Sequence, residues 1–423
     1  MKIKYHVLDN GLRLILGINK NIPVVSCWIF YRVGSRNERP GITGISHYVE
    51  HMLFKGGEKY GKGDIDRFIS ERGGVFNGMT SEDFTLYFET LPSNFLELAL
   101  DIEYDRMLNA KFDPIEVDSE KTVILSEREG AENYPQYLLE ELVQGTAFLA
   151  HPYKWPVIGW KSDILSITRE DLIQYYKSFY APINSTLVLT GNIDEKDAIK
   201  IIEKRFGEID KKGMKTTVNT KEPKQSGERR VYLKKPGTTR YMYIAYHVPE
   251  ASSEDSFPLI VLDGLLGGAK SFNPFRAASF VKSSRLYNVL VNRGLAKDVS
   301  TSYSLKIDPY LFWIKITLSE KASIDKVEKT LFKEINKIID GDIKDSELKR
   351  VKDQIRSQMS YGSEGATGFA FMLGYLEIVS SYKYLEKFEE ELKKIDIKDI
   401  RRVAEKYLIE DNRTIGIFIP KGD

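Results

Sequence analysis

His47-Tyr48-Val49-Glu50-His51 is the stretch from which the rest of the chain is read. An α-helix turns about 100° per residue, so positions 47, 50, 51 and 54 share one side of it. Two imidazoles at i and i+4 on a helix face can hold one Zn²⁺. A carboxylate beside them can take a proton from water on the metal. The H-x-x-E-H order inverts the commoner H-E-x-x-H zinc motif. Thr43 and Ser46 are placed to cap the start of this helix, and Gly56-Gly57 to stop it. Ile45, Val49, Met52 and Leu53 form an apolar stripe opposite the two His, and that stripe must pack on a core. The His side carries Phe54, so neither side reads as fully solvated. The competing reading is a pair of hydrogen-bonded core histidines.

A zinc site that does chemistry needs three protein ligands and one open position. Asp113-Pro114 with Glu116 reads as an N-cap, a Pro at the first helical position and a capping-box acid. The run Val117 to Arg128 that follows has a helical period. Glu120 and Glu127 lie two turns apart on one face, with Val123 and Ile124 between them. Carboxylates on an apolar stripe are costly unless paired or metal-bound, but acids on a helix usually mark its solvated side. The residues alone leave both readings open.

Further stretches complete a pattern: Val33-Gly34-Ser35-Arg36-Asn37-Glu38, Gly44 to Gly56, Gly73-Gly74, and Asn77-Gly78-Met79-Thr80 with Thr85 and Tyr87. Glu120 to Glu127, His151-Pro152-Tyr153 and Gly159 extend it. On these residues, from about Tyr5 to the C-terminus, the chain resembles the pitrilysin/insulinase family of zinc peptidases (inverzincins). It is most similar to the branch of mitochondrial processing peptidase and its bacterial relatives. The resemblance implies a third metal ligand 76 residues after the second motif His, which is Glu127 here. The family's additional acid falls on Glu120, either orienting a ligand His or supporting Glu127, or serving as a simple buried hydrogen-bond acceptor. His47, His51 and Glu127 are then the zinc ligands and Glu50 the general base of peptide-bond hydrolysis. Asn77, Met79 and Thr80 correspond to an edge strand to which an extended peptide adds by main-chain pairing. The family commonly has Ala where Gly78 stands.

At 423 residues the chain is too long for one typical core. Its 42% hydrophobic and 29% charged content is ordinary for a globular protein. The net charge of +1 points neither to a nucleic-acid groove nor to an acidic ligand. No run reaches the roughly 18 apolar residues of a membrane span. The one cysteine, Cys27, lies in an apolar run and reads as a core residue; no intrachain disulfide is possible. Met1 to Tyr5 leads into a strand without an apolar or Arg/Ser-rich leader, which predicts a cytoplasmic location.

Polar, breaker-rich sequence at 211–229 predicts a linker between a metal-binding domain at 1–210 and a non-catalytic domain at 230–423. Its two sides look related. A helix from Asp171 and a strand from Asn184 recur as a helix from Asp399 and a strand from Asn412. Asp118-Ser119-Glu120 recurs as Asp345-Ser346-Glu347. This duplication predicts two similar α+β halves. Only the first has a His pair, which predicts one Zn²⁺ per chain. The resemblance adds that each half is a mostly antiparallel sheet with helices packed on it, the pair forming one bowl of a clam-shell chamber. A second copy or a related inactive subunit would supply the other bowl, giving a homodimer or heterodimer acting on short or unfolded peptides. A non-catalytic assembly subunit and a zinc hydrolase of non-peptide substrates are the remaining alternatives. An insertion at 269–282, with Phe272, Phe275, Arg276, Phe280 and Lys282, is either a contacting loop or an elaborated surface.

Overall fold

The apolar runs of this sequence pair into two sheets in a computed structural model that describes residues 2–211, 213–275 and 280–421. The first contains β1 (Lys2–Val7), β2 (Arg13–Ile18), β3 (Val24–Tyr31), β4 (Val75–Thr80), β5 (Thr85–Pro92) and β6 (Ser185–Gly191), in the order β1-β2-β6-β3-β5-β4. The second contains β7 (Arg229–Lys235), β8 (Tyr241–Val248), β9 (Ala296–Tyr303), β10 (Tyr310–Leu318) and β11 (Arg413–Pro420), in the order β7-β11-β8-β10-β9. With β1 set aside, the two sheets share one plan. β2 with β6 and β7 with β11 are the parallel pairs. The remaining neighbours are antiparallel. The two similar α+β halves expected from the duplication are therefore present.

The compact units do not follow chain order. One comprises Met1–Gly130, Trp155–Thr220 and Ser363–Lys383; the other comprises Ala131–Lys154, Lys221–Gly362 and Tyr384–Asp423. The chain passes between them inside the breaker-rich stretch, but a single cut at 211–229 misses two exchanged segments. The helix Gly365–Val379 packs on β3 and β6 of the first sheet. The helix Pro135–Ala147 packs on β8 and β11 of the second. Each seat needs a residue without a side chain. A Cβ on Gly374 would lie 2.0 Å from the Phe30 ring, and one on Gly416 2.2 Å from Val143. Above the first sheet, Phe371 meets Trp28 edge-on at 5.8 Å.

The opposite face of the first sheet carries Cys27, Ile29 and Tyr31, packed with Ile45, Tyr48, Val49 and Met52 of the motif helix. Cys27 is a fully buried core thiol, as expected, and burial pushes its pKa well up. Asn77-Gly78, which reads as a turn signal, lies within β4, and the turn falls later, where Ser81 N–H donates to Phe84 O. Of the insertion at 269–282, Arg276 lies outside the described residues; Phe275 and Phe280 are exposed. Among the described residues no helix is long and apolar enough to cross a membrane.

Candidate metal centre

The motif helix runs Ile45–Met52 and starts differently from the cap rule. Gly44 precedes it at φ 90°, and no side chain at that position caps it. Instead the buried carboxylate of Glu38 accepts the N–H groups of Gly44 (2.8 Å) and Ser46 (2.9 Å). These are donors a helix start leaves orphaned. Burial, opposed by those two bonds, pushes Glu38 up to about 8. Thr43 bonds Asp163 and Ser46 bonds Tyr175, so neither acts as the expected cap. Gly44 is obligatory for a second reason: a Cβ there would lie 2.3 Å from Ile158 O, where the Gly159 segment crosses. The helix ends at Leu53, before Gly56-Gly57.

Seated on its apolar stripe, this helix turns His47, Glu50 and His51 to one side. The two Nε2 atoms stand 3.2 Å apart. Oε2 of Glu127 lies 3.8 Å from His47 Nε2 and 3.6 Å from His51 Nε2. Glu127 arrives on the helix Pro114–Glu132, whose start is held as expected by Asp113 Oδ1, accepting from Ile115 N–H at 2.9 Å. One ligand atom from each of the three residues falls within 4.8 Å of the others, and among the described residues this is the single such group of three or more.

The donor set fits zinc. Two nitrogens each about 2.0–2.1 Å from a tetrahedral zinc stand roughly 3.3 Å apart, close to the separation found. Oε1 of Glu120 lies 2.8 Å from His51 Nδ1. That contact holds the proton on Nδ1 and turns the Nε2 lone pair toward the cluster. Burial, then His51, pushes the His47 imidazole down to about 3, which keeps it neutral, the state a ligand requires. Its buried Nδ1 has no hydrogen-bond partner among the described residues. Glu127 is 45% exposed against 18% and 16% for the two His, so the cluster opens on the Glu127 side.

Glu50 lies beside the ligands and receives a hydrogen bond from Thr80 Oγ1 to Oε2 at 2.6 Å. Burial raises its pKa, with Thr80 and His51 pulling the other way. A carboxylate pushed toward neutrality is the better proton acceptor at neutral pH. Burial also pushes Glu120 up, but the Lys55 ammonium, 2.5 Å from its Oε2, and His51 hold it below the ordinary carboxylate range.

The remaining sequence-predicted residues lie on β4, the open edge of the first sheet. Strand alternation puts Phe76, Gly78 and Thr80 on one face and Asn77 and Met79 on the other. Phe54 of the site packs toward Phe76, with ring centroids 6.0 Å apart. A Cβ on Gly78 would stand 2.9 Å from the Phe54 ring, a tight fit that favours Gly at this position. Thr80 thus joins the site through Glu50, whereas Asn77 and Met79 lie on the other face of the strand. Sequence reasoning missed Glu38, Lys55 and the Thr80–Glu50 bond. An acid six residues before a glycine-led helix was the one available signal, for Glu38. In the second half the matching helix, Ser256–Gly267, carries no His, and Glu347, the counterpart of Glu120, pairs with Arg285 at 2.6 Å.

Comparisons with known proteins bear on the family and the fold. The sequence profile described as "Insulinase (Peptidase family M16)" matches residues 14–160, and that described as "Peptidase M16 inactive domain" matches residues 166–355. The chain is 27% identical to the "Zinc protease PqqE" of Helicobacter pylori over 97% of its own length and 91% of that protein. It is 26% identical to the "Mitochondrial-processing peptidase subunit beta" of Lentinula edodes, over 97% and 88%. A crystal structure of a protease from Helicobacter pylori superposes with a TM-score of 0.91 at 25% identity, covering 99% of both chains.

Proposed function

Since the chain belongs to the insulinase family of peptidases (family M16), we propose that it is a zinc-dependent endopeptidase cutting short or unfolded polypeptides. The observation that carries the reading is the convergence of His47 Nε2, His51 Nε2 and a Glu127 oxygen, with Glu50 alongside. His47, His51 and Glu127 would hold the ion. When bound, zinc supplies Lewis acidity, polarising a carbonyl and bringing the pKa of a coordinated water toward neutrality. Glu50 accepts the proton of the attacking water. The water oxygen adds to the peptide carbonyl carbon, the C–N bond breaks, and Glu50 returns the proton to the leaving amine. The Thr80 hydroxyl occupies one oxygen of Glu50 and leaves the other for water. The free edge of β4, with Asn77 and Met79 on it, receives the extended peptide by main-chain pairing.

The test is Glu50→Gln, assayed on a quenched fluorescent peptide with zinc content measured alongside. The variant keeps stoichiometric zinc and loses at least 10²–10⁴-fold in turnover, the usual worth of a general base. Near-parental turnover in that variant, or in chelator-stripped parent, refutes the mechanism. A second reading has support from the Lentinula edodes relative, named as one subunit of a processing peptidase. On it, the chain works beside a related partner subunit. Light scattering on the purified chain, together with the same peptide assay, separates the two. A self-associated chain that cleaves favours the first, and a zinc-loaded chain inert until a partner is added favours the second.

A further inference from the structure

We propose that Lys55 is a positioning residue of the zinc site: its ammonium anchors Glu120 so that the other oxygen of that carboxylate stays aimed at His51 Nδ1. The inference rests on the zinc reading above and adds to it a residue outside the liganding set. Lys55 Nζ stands 2.5 Å from Glu120 Oε2, and His51 Nδ1 stands 2.8 Å from Oε1. One carboxylate is thus gripped at both ends, by an imidazole on the motif helix and by a cation just beyond that helix. The Glu120 side chain is 6% exposed and that of Lys55 25%. A carboxylate so buried depends on its partners, and with only the imidazole to hold it, its flexible stem can swing away.

The backbone is built to deliver that ammonium. Phe54 N–H closes on His51 O and Lys55 N–H on Met52 O, winding the chain tightly past the helix end. Gly56 then takes φ 118°, which residues with a side chain rarely adopt. Gly57 lies against Asp105, where a Cβ would sit 2.2 Å from Oδ2. The second half offers a control. Glu347, at the position matching Glu120, also has a cation, Arg285, yet no imidazole. A cation at this place can therefore be structural only, and the test must separate that role from positioning.

The sign of the effect does so. A unit cation repels a dication, so removing the Lys55 charge would by Coulomb's law alone tighten zinc binding. Removing the anchor loosens the Glu120–His51 bond and weakens it. Partners of ligating His are typically worth about 10–100-fold in metal affinity. Zinc affinity of the full-length chain is measured by chelator competition, with zinc alone as ligand, for parent, Lys55→Met and Lys55→Arg. Lys55→Met is expected to weaken zinc at least about ten-fold. Lys55→Arg restores most of the loss, and the zinc-free melting temperatures stay together. In a Glu120→Gln background, Lys55→Met adds no further loss, because the lysine acts through that carboxylate. Should Lys55→Met lose the fold, Lys55→Gln carries the same expectation. Unchanged or tighter zinc binding, or losses that add in the double variant, overturn the proposal while leaving the zinc site standing. A parent chain that takes up no zinc overturns both.

Discussion

At Thr80 the site depends on one hydroxyl. It donates to Oε2 of Glu50 at 2.6 Å and fixes the rotamer of the proposed base. Thr80→Val keeps the shape of the side chain and deletes the donor, so Glu50 loses orientation while the ligands stay in place. The expected loss is roughly ten- to a hundred-fold in kcat, with KM little changed and zinc content intact. Thr80→Ser recovers most of the rate. A change in KM of the same size as that in kcat would assign Thr80 to peptide binding instead. At this scale His47, Glu50 and His51 were legible because i, i+3 and i+4 lie on one side of any helix. Glu127 was legible only through the family resemblance: helical period places it on a face shared with Glu120 but does not say what that face looks at. The Thr80–Glu50 and Lys55–Glu120 contacts join residues 30 and 65 positions apart, which no local pattern encodes.

The motif helix is the element on which the site stands, and Glu38 holds its start. Sequence rules placed the cap on Thr43 or Ser46, because a hydroxyl before an apolar run is the commonest N-cap signal. The glycine at position 44 instead lets the chain turn at positive φ beneath the Ile158–Gly159 crossing, and a carboxylate from six residues upstream reaches the bare N–H groups. That carboxylate titrates up to about 8 against an ordinary 4.5, burial being the largest cause. A folded-state pKa raised above the unfolded one means that folding takes up a proton. The Glu38 contribution is fully present below about 4.5 and is lost as pH rises through about 8. Glu38→Gln cannot titrate. In zinc-free buffer, urea unfolding of both chains should therefore show the parent losing stability relative to Glu38→Gln across that window. A stability difference that stays flat or grows toward alkaline pH would mean that the N–H bonds outweigh burial.

The exchange of helices ties the two halves of the chain into one folding problem. Gly365–Val379 is apolar on nearly every side, with Ala370, Phe371, Met372, Leu373, Leu376 and Ile378 all buried. Such a pattern tells of a helix covered all round, yet it does not say by which sheet, and the duplication suggests self-contained halves. The first sheet in fact relies on this late segment to cover Trp28, Phe30 and Phe84. Each such aromatic contributes about 1.5–3 kcal/mol when buried. Three together rival the roughly 5–15 kcal/mol by which a whole domain is stable. The second sheet has the same dependence on Leu139 and Val143 of the early helix, which fill the space above Gly416. Cutting the chain in the breaker-rich stretch should therefore not release two domains. Fragments 1–210 and 230–423 expressed alone are expected to bind hydrophobic dyes and to lack a sharp near-UV spectrum, and the first to hold zinc weakly. Co-expressed, they should co-purify, unfold in one cooperative transition and regain zinc. Two fragments that each fold cooperatively as monomers would show that neither sheet needs its exchanged helix.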